Sequence, residues 1–336
     1  MLTLKAIDVH CFFNFMSKKI ANLSRPNILV AKSIVQRNKS VYVASHYKRI
    51  QRLNRPNMTG QTSENAVLQN RISPQQIAAC KGKVPLVCLT AYSKPMAEYL
   101  DDHVDLLLVG DSLGMVLYGF TSTRDVTLDM MINHGKAVMR GSQHACVIID
   151  LPYGTYENSP DQALQTAKRV INETGASGVK LEGGEKMAAT VKHIVDHGIP
   201  VFGHIGLLPQ QVSAQGDFRV QGRNIDGEQQ IINDAKAIDK AGAFAIVIEG
   251  TVEDTATQAS KAMSVPSIGI GASSLCDGQI LVSDDMLGVF SGFKPKFVKR
   301  YADLKSQIEH AVSVYAKDVK QRQFPGTEHV YQRTRP

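Results

Sequence analysis

Four short apolar runs of this 336-residue chain end in an acid: Leu106-Leu-Leu-Val-Gly-Asp111, Val147-Ile-Ile-Asp150, Val179-Lys-Leu-Glu182 and Ile246-Val-Ile-Glu249. A single carboxylate in such a place is equally well explained as the N-cap of the helix that follows. Four together would bring several negative charges to one end of a sheet, which is costly unless a cation neutralises them or one carries a proton. An all-oxygen ligand set points to Mg2+ in preference to zinc or copper, which would call for His or Cys. Lys180 and Glu182 are two apart on a strand, so both side chains point to the same face. The useful inward place for a lysine is beside those acids, with a plain salt bridge as the other reading. His204, in Gly203-His-Ile-Gly-Leu207, also ends an apolar run, and a structural and a catalytic role are both open for it.

The elements that would position these residues alternate along the chain. Strand candidates are residues 86–91, 106–110, 147–151, 179–182, 201–205, 245–249 and 267–270. They are near-continuous apolar runs bounded by Gly, Asp or Pro, as a parallel sheet buried on both faces requires. Between them the period becomes helical. Ser159-Pro160 supplies an N-cap and first-turn proline, Ala163, Leu164, Ala167, Val170 and Ile171 form one face, and Gly175 is the stop. Met187 to Val195 and Ile231 to Ile238 repeat the pattern. A further helix should start at Thr251, with Asp254 completing a partial capping box, and a last one carries Leu304, Ile308, Ala311, Val312 and Tyr315. Seven strands with intervening helices predict an α/β fold, a (β/α)8 TIM barrel, with the eighth strand sought in residues 280–290. A doubly wound open sheet is the alternative, but no G-x-G-x-x-G follows a strand. In a barrel the acids would sit at the carboxyl ends of the strands, where active sites form.

Composition is that of a globular protein, 43% hydrophobic and 21% charged, with no run near the roughly 18 apolar residues that cross a membrane. The net charge of +7 is unevenly spread: residues 1–60 carry eleven Lys or Arg against Asp8 alone, leaving −3 for the rest. That segment is basic, rich in Ser and Asn and only patchily apolar, as in a mitochondrial transit peptide, whereas a secretory signal has a continuous apolar centre. We therefore expect a basic targeting segment and linker at 1–70, a catalytic domain at 71–336, and a mitochondrial matrix location. Aromatic and basic residues are not interleaved as in a nucleic-acid platform, so neither nucleic acid nor membrane is expected as a partner. Five cysteines, Cys11, Cys80, Cys88, Cys146 and Cys276, with no C-x-x-C pair, argue against disulfides and zinc.

From about residue 74 to 331 the chain resembles the ketopantoate (3-methyl-2-oxobutanoate) hydroxymethyltransferases. The resemblance runs through Thr90-Ala-Tyr92, Val109-Gly-Asp-Ser-Leu-Gly-Met115, Asp150-Leu-Pro152, Val179-Lys-Leu-Glu-Gly-Gly184, Gly203-His-Ile-Gly-Leu207, Val220-Gln-Gly-Arg223, Gly269-Ile-Gly-Ala272, Asp277-Gly-Gln279 and Phe324-Pro-Gly-Thr-Glu-His329. It departs from the family at Gly216-Asp-Phe218 and in the Gly-Thr that follows Glu249. The resemblance implies a barrel of the phosphoenolpyruvate/pyruvate type and a homo-oligomer. It implies that Asp111, Asp150 and Glu182 surround Mg2+, that Asp111, Ser112, Asp150 and Lys180 hold the 2-oxo acid, and that Glu249 is the base. The co-substrate would be 5,10-methylenetetrahydrofolate, attacked by a Mg2+-stabilised enolate to give ketopantoate for pantothenate and coenzyme A synthesis. Because an ordinary carboxylate is a weak base toward a carbon acid, burial and neighbouring acids should strengthen Glu249. For His204, a place behind these residues is one reading, and its structural and catalytic roles both stay open. Two other readings are a Mg2+-dependent 2-oxo acid lyase of the isocitrate-lyase type and a barrel kept as a non-catalytic subunit. The Lys-Lys-Cys-Gly-His loop typical of the lyases is absent, and every proposed catalytic position is filled.

Overall fold

The computed structural model describes residues 71–212, 218–290, 292 and 294–333. The basic segment 1–70, with the targeting expectation that rests on it, lies outside the described residues, as do Gly216 and Asp217. In chain order the elements are α1 (Pro74–Ala78), β1 (Leu86–Thr90), α2 (Lys94–Leu100), β2 (Leu106–Val109), α3 (Leu113–Val116), α4 (Leu128–Gly141) and β3 (Cys146–Asp150). Then come α5 (Pro160–Thr174), β4 (Gly178–Lys180), α6 (Ala188–Asp196), β5 (Val201–Gly206), α7 (Ile225–Lys240), β6 (Ala245–Glu249), α8 (Glu253–Lys261), β7 (Ser267–Ile270), β8 (Gly278–Leu281), α9 (Ser283–Leu287) and α10 (Leu304–Lys320). All eight strands are parallel and close into a barrel in sequence order.

Alternation along each strand divides the apolar residues into two cores. Leu86, Cys88, Leu106, Leu108, Cys146, Ile148, Phe202, Ala245, Val247, Ile268 and Ile280 fill the barrel interior, and Ile77 of α1 packs with them. The alternate residues, among them Leu107, Val109, Val147, Ile149, Val179, Ile246 and Ile248, face the helices. Phe202 is wholly buried and stacks on Phe244 with ring centroids 5.5 Å apart. On β4, Gly178 is required by the close approach of the neighbouring chain, since any Cβ there would lie 2.6 Å from the Pro200 carbonyl.

The helices follow the expected stripes. Ser159 caps α5 by accepting from the Gln162 amide, Pro160 opens it, and Gly175 ends it in the left-handed conformation at φ 73°. Ile231, Ala235 and Ile238 bury one face of α7, and Val191 and Ile194 one face of α6.

Three details go beyond or against the sequence pattern. The eighth strand, sought in residues 280–290, is Gly278–Leu281, and within that range residues 283–287 form α9. Only residues 271–277 separate β7 from β8, with no helix between them, so no helical period frames that crossover. Helix α8 begins at Glu253 after Val252 and has no side-chain cap: the Thr251 hydroxyl donates instead to the Glu249 carbonyl, 2.9 Å away. Helix α10 forms as expected but buries none of its side chains, so Ile308, Val312 and Tyr315 stay exposed.

Candidate active site

The inward parity of each strand carries over from the apolar interior into the charged residues at its carboxyl end. On β3 the inner residues are Cys146, Ile148 and then Asp150; on β6 they are Ala245, Val247 and then Glu249. On β4, Lys180 keeps the parity of Gly178, and on β5, His204 that of Phe202. Asp111 and Glu182 lie two residues beyond β2 and β4. All seven residues singled out from the sequence, Ser112 included, therefore lie at the carboxyl end of the barrel strands. Glu182 is followed by Gly183 at φ 132° and by Gly184, where a Cβ would fall 1.9 Å from the Asp234 carboxyl, so the chain can turn away directly after the acid.

Asp150 is the hub. It accepts from the Lys180 ammonium at 2.7 Å and from the Asp111 backbone N–H at 3.1 Å, and the Asp150–Lys180 pair is also the β3–β4 register pair. Burial opposes a charged Lys180, but Asp150, Glu182 and Asp111 together outweigh it and hold the ammonium protonated. Asp111 has the opposite fate. Burial, then repulsion from Asp150 and Glu182, pushes its carboxyl well above the usual carboxylate range, with Lys180 and Gln210 only partly offsetting this.

His204 lies between two acids, its Nδ1 3.4 Å from Glu182 and its Nε2 3.2 Å from Glu249. Neither ring nitrogen reaches hydrogen-bond geometry, so the contacts are ionic and undirected. Burial and the Lys180 charge disfavour the imidazolium, yet the two carboxylates prevail and raise its pKa from 6.5 to about 9. The charged group facing Glu249 is thus a cation, where the sequence had suggested further acids. Glu249 is also the least enclosed of the four acids, its side chain 18% exposed against 3% for Asp150 and 1% for Glu182. Ser112, at the start of α3, shares a 2.8 Å hydrogen bond with the Tyr92 hydroxyl.

Two buried residues in contact with these acids went unnoticed in the sequence. Gln210, in the turn Pro209–Gln211 after β5, donates to Asp111 and Glu182, and Tyr156, between β3 and α5, donates to Gln210. Both sit in loops, where no hydrophobic period marks an inward residue. The one available signal was position, since each follows a strand that carries an acid or a histidine.

The sequence model of a family described as ketopantoate hydroxymethyltransferase matches residues 71–327. The chain belongs to the ketopantoate hydroxymethyltransferase family. A relative from Brucella canis, named 3-methyl-2-oxobutanoate hydroxymethyltransferase, is 59% identical over 79% of this chain and 96% of its own length. One of the same name from Agrobacterium fabrum is 58% identical over 80% and 96%. A solved phosphonopyruvate hydrolase, in complex with oxalate and Mg2+, superposes with TM-score 0.50 at 11% identity over 76% of this chain and 93% of its own, a likeness of fold alone.

As a member of the ketopantoate hydroxymethyltransferase family, the chain can be tested for its fit to Mg2+. No three His, Cys, Asp or Glu side chains among the described residues close into a ready-made cage. The oxygens of Asp150 and Glu182 are partly engaged by Lys180, the Asp111 N–H and Gln210. That suits an ion which takes one or two carboxylates and completes its shell with water and substrate oxygens. Charge agrees: with Asp111, Asp150, Glu182 and Glu249 ionised against Lys180 and a protonated His204, the six groups sum to −2, the complement of one divalent cation.

The raised pKa of His204 makes folding sensitive to pH in a definite direction. A folded-state value above the unfolded one contributes stability that is complete below about pH 6.5 and is lost as pH rises through about 9. Asp111, also raised, adds a loss of the same sign beginning near its unfolded value. In urea unfolding without divalent metal, the chain is expected to be weaker at pH 9 than at pH 6, the His204 share reaching up to roughly 3 kcal/mol. His204→Gln should flatten the profile. An equally steep profile in that variant would exclude the imidazolium.

Proposed function

We propose that the chain transfers a hydroxymethyl group from 5,10-methylenetetrahydrofolate to 3-methyl-2-oxobutanoate, giving 2-dehydropantoate for pantothenate and coenzyme A synthesis. The observation that carries this is the division of labour among the acids: three are buried around one ammonium, while Glu249 alone is partly open at the mouth. Membership of the family supports the choice of substrates.

Asp111, Asp150 and Glu182 are the groups to hold Mg2+, which when bound supplies Lewis acidity toward the carboxylate and keto oxygens of the 2-oxo acid. Asp111 and Ser112, with Asp150 and Lys180, orient the same substrate. Glu249 takes the proton from C3, and His204, 3.2 Å away, faces the carboxylate that does so. The Lys180 ammonium would counter negative charge spreading onto the keto oxygen, and its burial would make that counter-charge stronger than it would be in water. The new carbon–carbon bond forms between C3 and the methylene carbon of the folate; both bonds from that carbon to the folate nitrogens break, water supplies the hydroxyl oxygen, and the nitrogens take up the C3 proton and one proton of the water, so that tetrahydrofolate leaves and no covalent bond to the protein is required.

Incubating the purified chain with both substrates and Mg2+, with product read by mass spectrometry, is the direct test. Ketopantoate should appear, vanish with EDTA, and fall by about 10²- to 10⁴-fold in Glu249→Gln. That variant should still bind the 2-oxo acid but not exchange its C3 proton. Equal product with EDTA would end the metal reading.

The chain is further proposed to work as a homo-oligomer in the mitochondrial matrix. The unburied apolar stripe of α10, with Ile308, Val312 and Tyr315 each more than half exposed and Phe324 against Tyr315, supports a second copy covering that face. Light scattering should give a multiple of 36.7 kDa, and Val312→Glu a smaller species; a wild-type monomer would rule this out. The basic, acid-poor first 60 residues support import. Mature protein isolated from cells should then begin well after Met1, and an intact Met1 on the organellar protein would contradict it.

A further inference from the structure

Gln210 is nearly inaccessible, 1% exposed, and every polar group of its side chain is used. Its Nε2 donates to Asp111 Oδ2 at 2.9 Å and to the Leu151 carbonyl at 3.0 Å, and its backbone N–H donates to Glu182 Oε2 at 3.0 Å. Its Oε1 accepts from the Tyr156 hydroxyl at 2.5 Å, and that hydroxyl accepts in turn from the Glu182 backbone N–H at 3.3 Å. One residue from the loop after β5 thus spans the ends of β2, β3 and β4.

The partners dictate which way the amide faces. The Leu151 carbonyl can only accept, so the NH2 side of the amide must point at it and at the Asp111 carboxyl beside it. A flipped amide would set Oε1 against the Leu151 carbonyl and its NH2 against Tyr156. Tyr156, whose acceptor side already receives the Glu182 N–H, has its proton left to give and gives it to Oε1. Tyr156 therefore locks the orientation of Gln210, and Gln210 in turn places two acids.

We propose that Gln210 is a positioning residue, oriented by Tyr156, that holds Asp111 and Glu182 at the separation and rotation at which they receive the divalent cation. This rests on the Mg2+ reading above. The choice of an amide has a physical reason. A lysine or arginine there would also hold both carboxylates, but its charge would offset part of the −2 that draws the cation into the site. Gln210 donates three hydrogen bonds to the rim without adding charge. Because its side chain engages Oδ2 of Asp111, it leaves Oδ1 outside the clamp.

Groups that orient metal ligands without touching the metal change affinity by about 10- to 100-fold when removed. Gln210→Met keeps the length and volume of the side chain and the backbone bond to Glu182 but deletes both side-chain donors. Tyr156→Phe deletes one hydroxyl. Isothermal titration of the full-length proteins with Mg2+ alone should show the dissociation constant rising about 10- to 100-fold in Gln210→Met, with a smaller rise in Tyr156→Phe. The double variant should be no weaker than Gln210→Met, since Tyr156 acts through it. A thermal midpoint that drops while Mg2+ affinity stays within about twofold of wild type would overturn the proposal and leave Gln210 a packing residue. If Gln210→Met does not fold, Tyr156→Phe decides by the same criterion. A wild-type chain that takes up no Mg2+ overturns the metal reading and this one together, whereas a wild type that binds beside a variant that binds equally well overturns only the role of Gln210.

Discussion

Between β3 and β4 the Lys180 ammonium lies 2.7 Å from Asp150, with both side chains almost wholly buried, and the other acids take their places around that pair. A lone buried charge is costly, and each member of this pair offsets the cost of burying the other. The pair also coincides with the strand register, since Asp150 and Lys180 are direct neighbours across β3 and β4. Removing either member of such a pair costs about 3–5 kcal/mol, whereas an exposed pair such as Lys192 with Asp196 contributes about 1 or less. Asp150 then uses its other oxygen to receive the Asp111 N–H, which ties the end of β2 to the same centre.

The barrel prepares this arrangement by the period of two. The alternation that sends Ile148, Val247 and Phe202 inward sends Asp150, Glu249 and His204 inward one step later. The apolar interior beneath excludes water, and the mouth above stays open enough to leave Glu249 partly exposed. A one-residue slip in β3, β5 or β6 would send its inward acid or histidine to the helix face, so the register of the strands also specifies the site.

That shared period is why so much could be read from the sequence. Strand-ending acids, and the two-residue spacing of Lys180 and Glu182, follow from alternation and need no tertiary knowledge. What escaped lies where no period operates. Strand β8 is not framed by any period because its crossover is seven residues without a helix, and the inward placement of Gln210 and Tyr156 carries no signal because a loop residue's direction depends on how the whole chain closes. The Thr251 cap failed for a related reason: the hydroxyl had a nearer acceptor in the Glu249 carbonyl. The stripe on α10 was read correctly as amphipathic, but the period names a face and not the surface it meets.

Two means of neutralising the site compete, and the geometry accommodates both. Without a cation, protons relieve the crowded acids: His204, held charged by Glu182 and Glu249, already counts in the −2 of the rim, and Asp111, which resists ionising beside Asp150 and Glu182, brings it toward −1. With the proposed Mg2+ bound, the proton on Asp111 would have to leave, so binding and deprotonation would be one linked event. Stabilisation by a ligand grows with its concentration over its dissociation constant, and here that constant itself would fall as pH rises. The acids crowded by the barrel are thus a source of strain in the empty protein and of affinity in the loaded one. The same repulsion accounts for both.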